Sequence, residues 1–172
     1  MENPTSIATL RNLLDHEVAN LISAEVHLKK NLTEWIKISN SLKFKNVLQR
    51  YLVFIEEHIR DLEEFFLEEN LNSLGLSNAV MAAYIQTAEE KCSFCSDPEI
   101  KDACLLASIQ HINHFKICAY GTASAYAKTL DMKEAAIVFH TMEINEKHID
   151  DRLSQLAEFE ININAKTPIS LP

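Results

Sequence analysis

An all-α fold, a four-helix bundle, is predicted by three features of this 172-residue chain. Glycine occurs only at Gly75 and Gly121, and proline only four times, too few for a fold with many strands and turns. Apolar residues recur at helical spacing over long segments. Three of those segments carry a charged residue within the apolar stripe, namely Glu25, Lys116 and Glu146. A hydrophobic content of 47% with 24% charged residues describes a globular chain long enough for a sizeable core.

The first helix is expected from about Ser6 to Ile38, capped by Thr5 or Ser6. Leu10, Leu14, Leu21, Leu28, Leu32 and Trp35 form its stripe. Asn40 and Ser41 make a short connection to a second helix, about Leu42 to Asn70. Its expected inner face carries Phe44, Leu48, Leu52, Ile55, Ile59, Leu62 and Phe66. So short a connection implies an antiparallel pair. Gly75 then interrupts the pattern, and a shorter helix follows over about Asn78 to Ser93. Asp97-Pro98-Glu99 reads as a cap, a proline at the first helical position and an acid complementing the dipole of a fourth helix, which ends near Lys128. Asp131 is expected to cap a fifth helix reaching about Asn164. Residues 1–164 then form one domain and 165–172 a frayed tail. Two antiparallel hairpins joined by a long crossover with its own short helix is the ferritin-like arrangement.

The net charge of −9 argues against a nucleic-acid surface, which needs a basic stripe, and equally against an anionic membrane. No apolar run approaches the roughly 20 residues of a membrane span, and Met1 to Val18 lacks the apolar core of a signal peptide. A soluble cytoplasmic protein is expected. Cys92 and Cys95 form a C-x-x-C pair, but no second pair completes a zinc site. Reduced thiols packed among helices are expected, with a redox pair as the alternative.

Turning each helix by about 100° per residue points Glu25 inward between Leu21 and Leu28, with Glu17 similarly placed. Glu146 projects between Met142, Ile149 and Leu153, with Asp150 nearer the edge. Lys116 and Asn113 point inward from the fourth helix. Glu56 and His58 flank opposite sides of the second helix's stripe. Two readings follow. Glu25, Glu56, His58, Glu146 and Asp150 could ligate iron or manganese inside the bundle. Alternatively, a metal-free network forms in which Lys116 neutralises Glu25 and Glu146 while Asn113 satisfies the remainder. Lys116 favours the second reading, because an ammonium repels a divalent cation and occupies carboxylate oxygens. No resident cofactor and no catalytic residue are assigned, since neither a Ser-His-Asp arrangement nor a Gly-rich phosphate loop is present.

His16, His27, His111, His140 and His148 fall off the stripes, and His114 is expected to contact the crossover. Phe54 and Phe65 share a face turned away from the main stripe. With Phe115 and Cys118 they are expected to be covered by the crossover helix or a partner subunit, which makes self-association through Phe54 and Phe65 a third functional reading.

From Asp97 onward, Asp102-Ala103, Gln110, His114-Phe115, Ile117, Ala119-Tyr120-Gly121-Thr122 and Leu130 resemble the YciE/YciF family, as do Glu146-Lys147, Asp150 and Leu153. Leu21 with Ser23-Ala24-Glu25 matches the family's first-helix signature. The resemblance implies a ferritin-like bundle, often a homodimer, linked in bacteria to stress responses, with inward acids and a histidine suited to a dimetal site. Glu25, Glu146 and Asp150 match that pattern, and Ile55-Glu56-Glu57-His58 matches its acid/His motif approximately. The fourth helix departs from it: Asn113-His114-Phe115-Lys116 stands where the family reads Glu-His-Tyr-Glu. That loss of two acids argues against ferroxidase or oxygenase chemistry. Gly121 implies close backbone approach of another element, since glycine within a helix costs about 1 kcal/mol relative to alanine.

Overall fold

The computed structural model describes residues 7–71 and 77–166. The helices are α1 (Leu10–Ile38), α2 (Leu42–Glu68), α3 (Ala79–Ser93), α4 (Pro98–Thr129) and α5 (Lys133–Leu156). A π-helical turn, Ala157–Ile161, continues α5 into the short α6 (Asn162–Lys166). Local chemistry explains most boundaries. Ser41 accepts from the Phe44 amide, Asn78 from the Met81 amide, and Asp97 from the Glu99 and Ile100 amides beside Pro98. The first helix starts later than its composition implies, because Thr9 is the side chain that accepts from the Asn12 amide. Thr5, Ser6 and Gly75 lie outside the described residues. Asp131 does not cap α5. It lies in the tight turn before it with φ 59°, a left-handed conformation that aspartate tolerates better than most residues.

Helices α1 and α2 form one hairpin and α4 and α5 the other, while α3 crosses between them and packs on α4 and α1. Two apolar clusters fill the bundle. Near the α1–α2 turn, Leu28, Leu32, Phe44, Leu48, Ile112 and Leu153 pack together with Met81 and Ile85 of α3. At the opposite end, Leu14, Val18, Leu62, Phe65, Ala123 and Phe139 pack together. Each long helix passes from one cluster to the other, and each places a polar residue at the crossing: Glu25, His58, Lys116 and Glu146.

The inner face of α2 is turned from the expected one toward its aromatic residues. Tyr51, Phe54, His58 and Phe65 are buried, whereas Leu52, Ile59 and Phe66 are only partly so. Phe65 meets Phe139 with ring centroids 5.3 Å apart, and Phe54 stacks beside His58. No Phe54/Phe65 surface remains for self-association. Phe44, Leu48, Ile55 and Leu62 keep the expected inward positions. Phe115 is covered by Tyr84 of the crossover helix, and Cys118 is exposed.

The α1–α2 turn is held from two sides. The Asp102 carboxylate, buried on α4, accepts from the Asn40 amide at 2.9 Å and the Ser41 amide at 2.7 Å. Glu160, in the π-helical turn, accepts from the Ser41 hydroxyl at 2.8 Å. Asp102 therefore fastens one hairpin to the other. Asp102→Ala leaves two backbone donors unsatisfied and is expected to cost about 2–3 kcal/mol, read as a lowered urea midpoint with an unchanged slope. A midpoint within error of the wild type would contradict that role. At Gly121, an added methyl would lie 3.4 Å from the Glu143 side chain, an ordinary contact with a side chain of α5 rather than with its backbone.

Candidate functional site

The crossing layer brings four helices together around one ammonium. Lys116 Nζ of α4 lies 2.9 Å from Glu25 Oε2 of α1 and 2.7 Å from Glu146 Oε1 of α5. All three side chains are fully buried. Lys116 also donates to Tyr51 Oη at 3.2 Å, and its Nζ sits 4.6 Å from the centre of the Tyr51 ring. The second oxygen of each acid is satisfied by a phenol. Tyr51 donates to Glu146 Oε2 at 2.7 Å, and Tyr120 donates to Glu25 Oε1. Asn113 Nδ2 donates to Glu146 Oε2 at 2.7 Å and to the Glu146 carbonyl at 3.0 Å.

His58 completes the layer from α2. Its Nδ1 is 3.3 Å from Glu25 Oε1 and 3.5 Å from Glu146 Oε1. The Asn145 amide nitrogen lies 3.3 Å from its other ring nitrogen. In the neutral ring, this arrangement assigns the proton to Nδ1, which donates to Glu25 while Nε2 accepts from Asn145.

The charges do not cancel pairwise. Two carboxylates face one lysine, so one acid is held ionised more firmly than the other. Burial pushes Glu25 upward, but Lys116, His58 and Tyr120 together outweigh it and hold Glu25 below the usual carboxylate range. Glu146 moves the other way. Burial and the Glu25 charge raise it despite Lys116. Burial, together with the adjacent carboxylates, raises both Tyr51 and Tyr120, which keeps the phenols protonated as donors. Asn113 Oδ1 is buried without a hydrogen-bond partner in this layer.

Of the residues singled out from the sequence, Glu25, His58, Asn113, Lys116 and Glu146 meet here. Glu56 does not, lying on the surface of α2 with its carboxylate 3.1 Å from Lys29. Asp150 sits at the edge of α5, 3.0 Å from His114 Nε2. His114 thus meets α5 through an acid, and it lines a surface cavity together with Tyr84 of the crossover helix. Glu17 is half exposed beside His16. The roles of Tyr51 and Tyr120 escaped the sequence reading. A signal existed, because a phenol at a core position needs a polar partner, and Tyr120 lies one helical turn from Lys116.

The donor set can be tested against a metal centre. Glu25, His58 and Glu146 each offer one ligand atom, and these atoms lie within 4.8 Å of one another. A two-metal carboxylate centre in such a bundle draws acids from all four helices. Here α4 contributes Asn113 and Lys116 instead, the ammonium lies between the two acids, and two phenols and an amide occupy their other oxygens. These residues do not fit a dimetal group.

A helical bundle with this hairpin order and a polar layer at its centre defines the class. The chain belongs to the family described as Domain of unknown function (DUF892), matched over residues 9–166. Among its relatives is Protein YciF of Escherichia coli (strain K12), 25% identical over 162 residues that cover 94% of this chain and 98% of that protein. The crystal structure of the E. coli stress protein YciF superposes with a TM-score of 0.85 at 25% identity, covering 91% of this chain and 99% of that one. YcfI from Rhodopseudomonas palustris superposes with a TM-score of 0.84 at 24% identity, over 88% and 97% of the two chains. No described helix is long and apolar enough to cross a membrane.

Proposed function

We propose that this protein is a non-enzymatic, stress-associated helical bundle whose ancestral type of dimetal site has been replaced by a buried lysine–carboxylate network. The supporting observation is the Lys116 ammonium, 2.9 Å from Glu25 and 2.7 Å from Glu146, at the point where two acids would share an ion. The stress association rests on the likeness to YciF, which is described as a stress protein in E. coli. In this reading the network sets the register of the two hairpins. Any slip of one helix turn would bring Lys116 against apolar side chains and strand both acids. The protein acts as a cytoplasmic homodimer, without nucleic-acid or membrane partners. Light scattering that shows a monomer at every concentration would contradict the dimer.

A second reading is a carboxylate-bridged iron or manganese protein, a metal-binding protein or oxidoreductase. It is supported by the proximity of Glu25, His58 and Glu146. Elemental analysis of protein purified without chelator separates the two. The preferred reading predicts iron, manganese and zinc far below one ion per chain. A near-stoichiometric ion that disappears in Glu25→Ala would establish the second reading instead.

A further inference from the structure

We propose that Cys104, together with Cys92 and Cys95, forms an oxidation site at which a peroxide closes a reversible disulfide between the crossover helix α3 and α4. The C-x-x-C pair lies at the end of α3, and the third thiol comes from the second turn of α4, across a tight turn. Cys92 Sγ and Cys104 Sγ are 3.9 Å apart. Cys104 is also the neighbouring thiol that acts on Cys95, so it faces both members of the pair. Cys95 and Cys104 are half-buried and open to a small oxidant, whereas Cys92 is buried. Lys101, one turn before Cys104, supplies the positive charge that favours a thiolate at Cys92 and Cys95. The sulfurs need to approach by about 2 Å to bond, a change within reach of side-chain rotation.

The chemistry balances with one peroxide. A half-buried cysteine thiolate attacks one peroxide oxygen, the O–O bond breaks, and the departing hydroxide takes a proton to leave as water. The cysteine is now a sulfenic acid. A neighbouring thiol attacks its sulfur, the S–S bond forms, the S–O bond breaks, and a second water leaves. Two thiols lose two electrons and two protons, and one peroxide becomes two waters. Burial pushes the Cys92 thiol up to about 12 and raises Cys95 as well, with Cys104 adding to both. Thiolate at Cys92 and Cys95 is therefore scarce at neutral pH.

The test exposes the full chain to hydrogen peroxide, alkylates the remaining thiols, and maps the products by intact mass and peptide analysis. The expected product is an intramolecular disulfide joining Cys104 to Cys92 or Cys95, reversed by dithiothreitol and unchanged in Cys118→Ser. Cys104→Ser and Cys104→Ala, each checked for helical content, should both lose that α3–α4 cross-link. The proposal is overturned if Cys104 stays alkylatable in oxidised wild type. It is equally overturned if a Cys92–Cys95 disulfide forms to the same extent with and without Cys104, or if oxidation yields only intermolecular products through Cys118.

Discussion

Lys116→Met is expected to destabilise this protein by about 3–5 kcal/mol, a fall of about 6–20 °C in Tm for a chain of this length. Methionine fills the space of the lysine stem but leaves Glu25 and Glu146 buried together with no cation. Removing one partner of a buried pair costs far more than the pair itself contributes, because the stranded charge keeps its full desolvation penalty. Lys128→Met, in the exposed last turn of α4, is the control and should stay within about 0.5 kcal/mol of wild type. The pH dependence of the variant carries a definite sign. Without Lys116, both buried acids prefer the protonated form, so their folded-state affinity for protons exceeds the unfolded one. Stability tied to such groups is present at acidic pH and is lost as pH rises through the raised folded value. The deficit of Lys116→Met should therefore shrink on acidification. Equal thermal stability for Lys116→Met and Lys128→Met, or a deficit that grows toward acid, would show that the ammonium does not neutralise these acids.

The second large effect is a gain. Asn113→Glu combined with Lys116→Glu places acids at the two inward polar positions of the fourth helix. Four carboxylates would then meet at the layer with His58. The variant is expected to be strongly destabilised without metal, since like charges would be buried side by side. Manganese(II) should restore stability by about 2.7 kcal/mol at a hundredfold excess over its dissociation constant, whereas wild-type Tm should not respond. A wild type stabilised as much as the double variant would mean that Lys116 does not block the site. A double variant indifferent to manganese would mean that more than these two positions separates this chain from a metal-binding form.

How much of this was legible in the sequence depended on the range of the interaction. Ser41, Asn78 and Asp97 act on amides two or three residues away, so the turn after Ile38 and the starts of α3 and α4 could be placed from local pattern alone. The start of α1 lies later than the expected one because several hydroxyl residues precede Leu10, each a possible cap by local pattern, and Thr9 is the one that accepts from the Asn12 amide. Helical phase brought Glu25, Asn113, Lys116 and Glu146 together, because each interrupts an otherwise apolar stripe. On α2 it placed Phe44, Leu48, Ile55 and Leu62 inward but missed Tyr51, Phe54 and Phe65, because aliphatic and aromatic residues define two overlapping stripes. The buried face spans both, and His58 lies within it rather than at its flank. The Cys104 contact could not be read, since its partners sit on another helix and no periodicity links them. Asp102 likewise serves a turn 61 residues away, a relation that no local pattern encodes.

The most direct measurement is an anomalous-difference map from crystals grown with manganese(II). Continuous density for Lys116 reaching Glu25 and Glu146, with no anomalous peak between those acids, is the predicted result. One or two manganese peaks ligated by Glu25, His58 and Glu146, with the lysine turned away from them, would contradict the account.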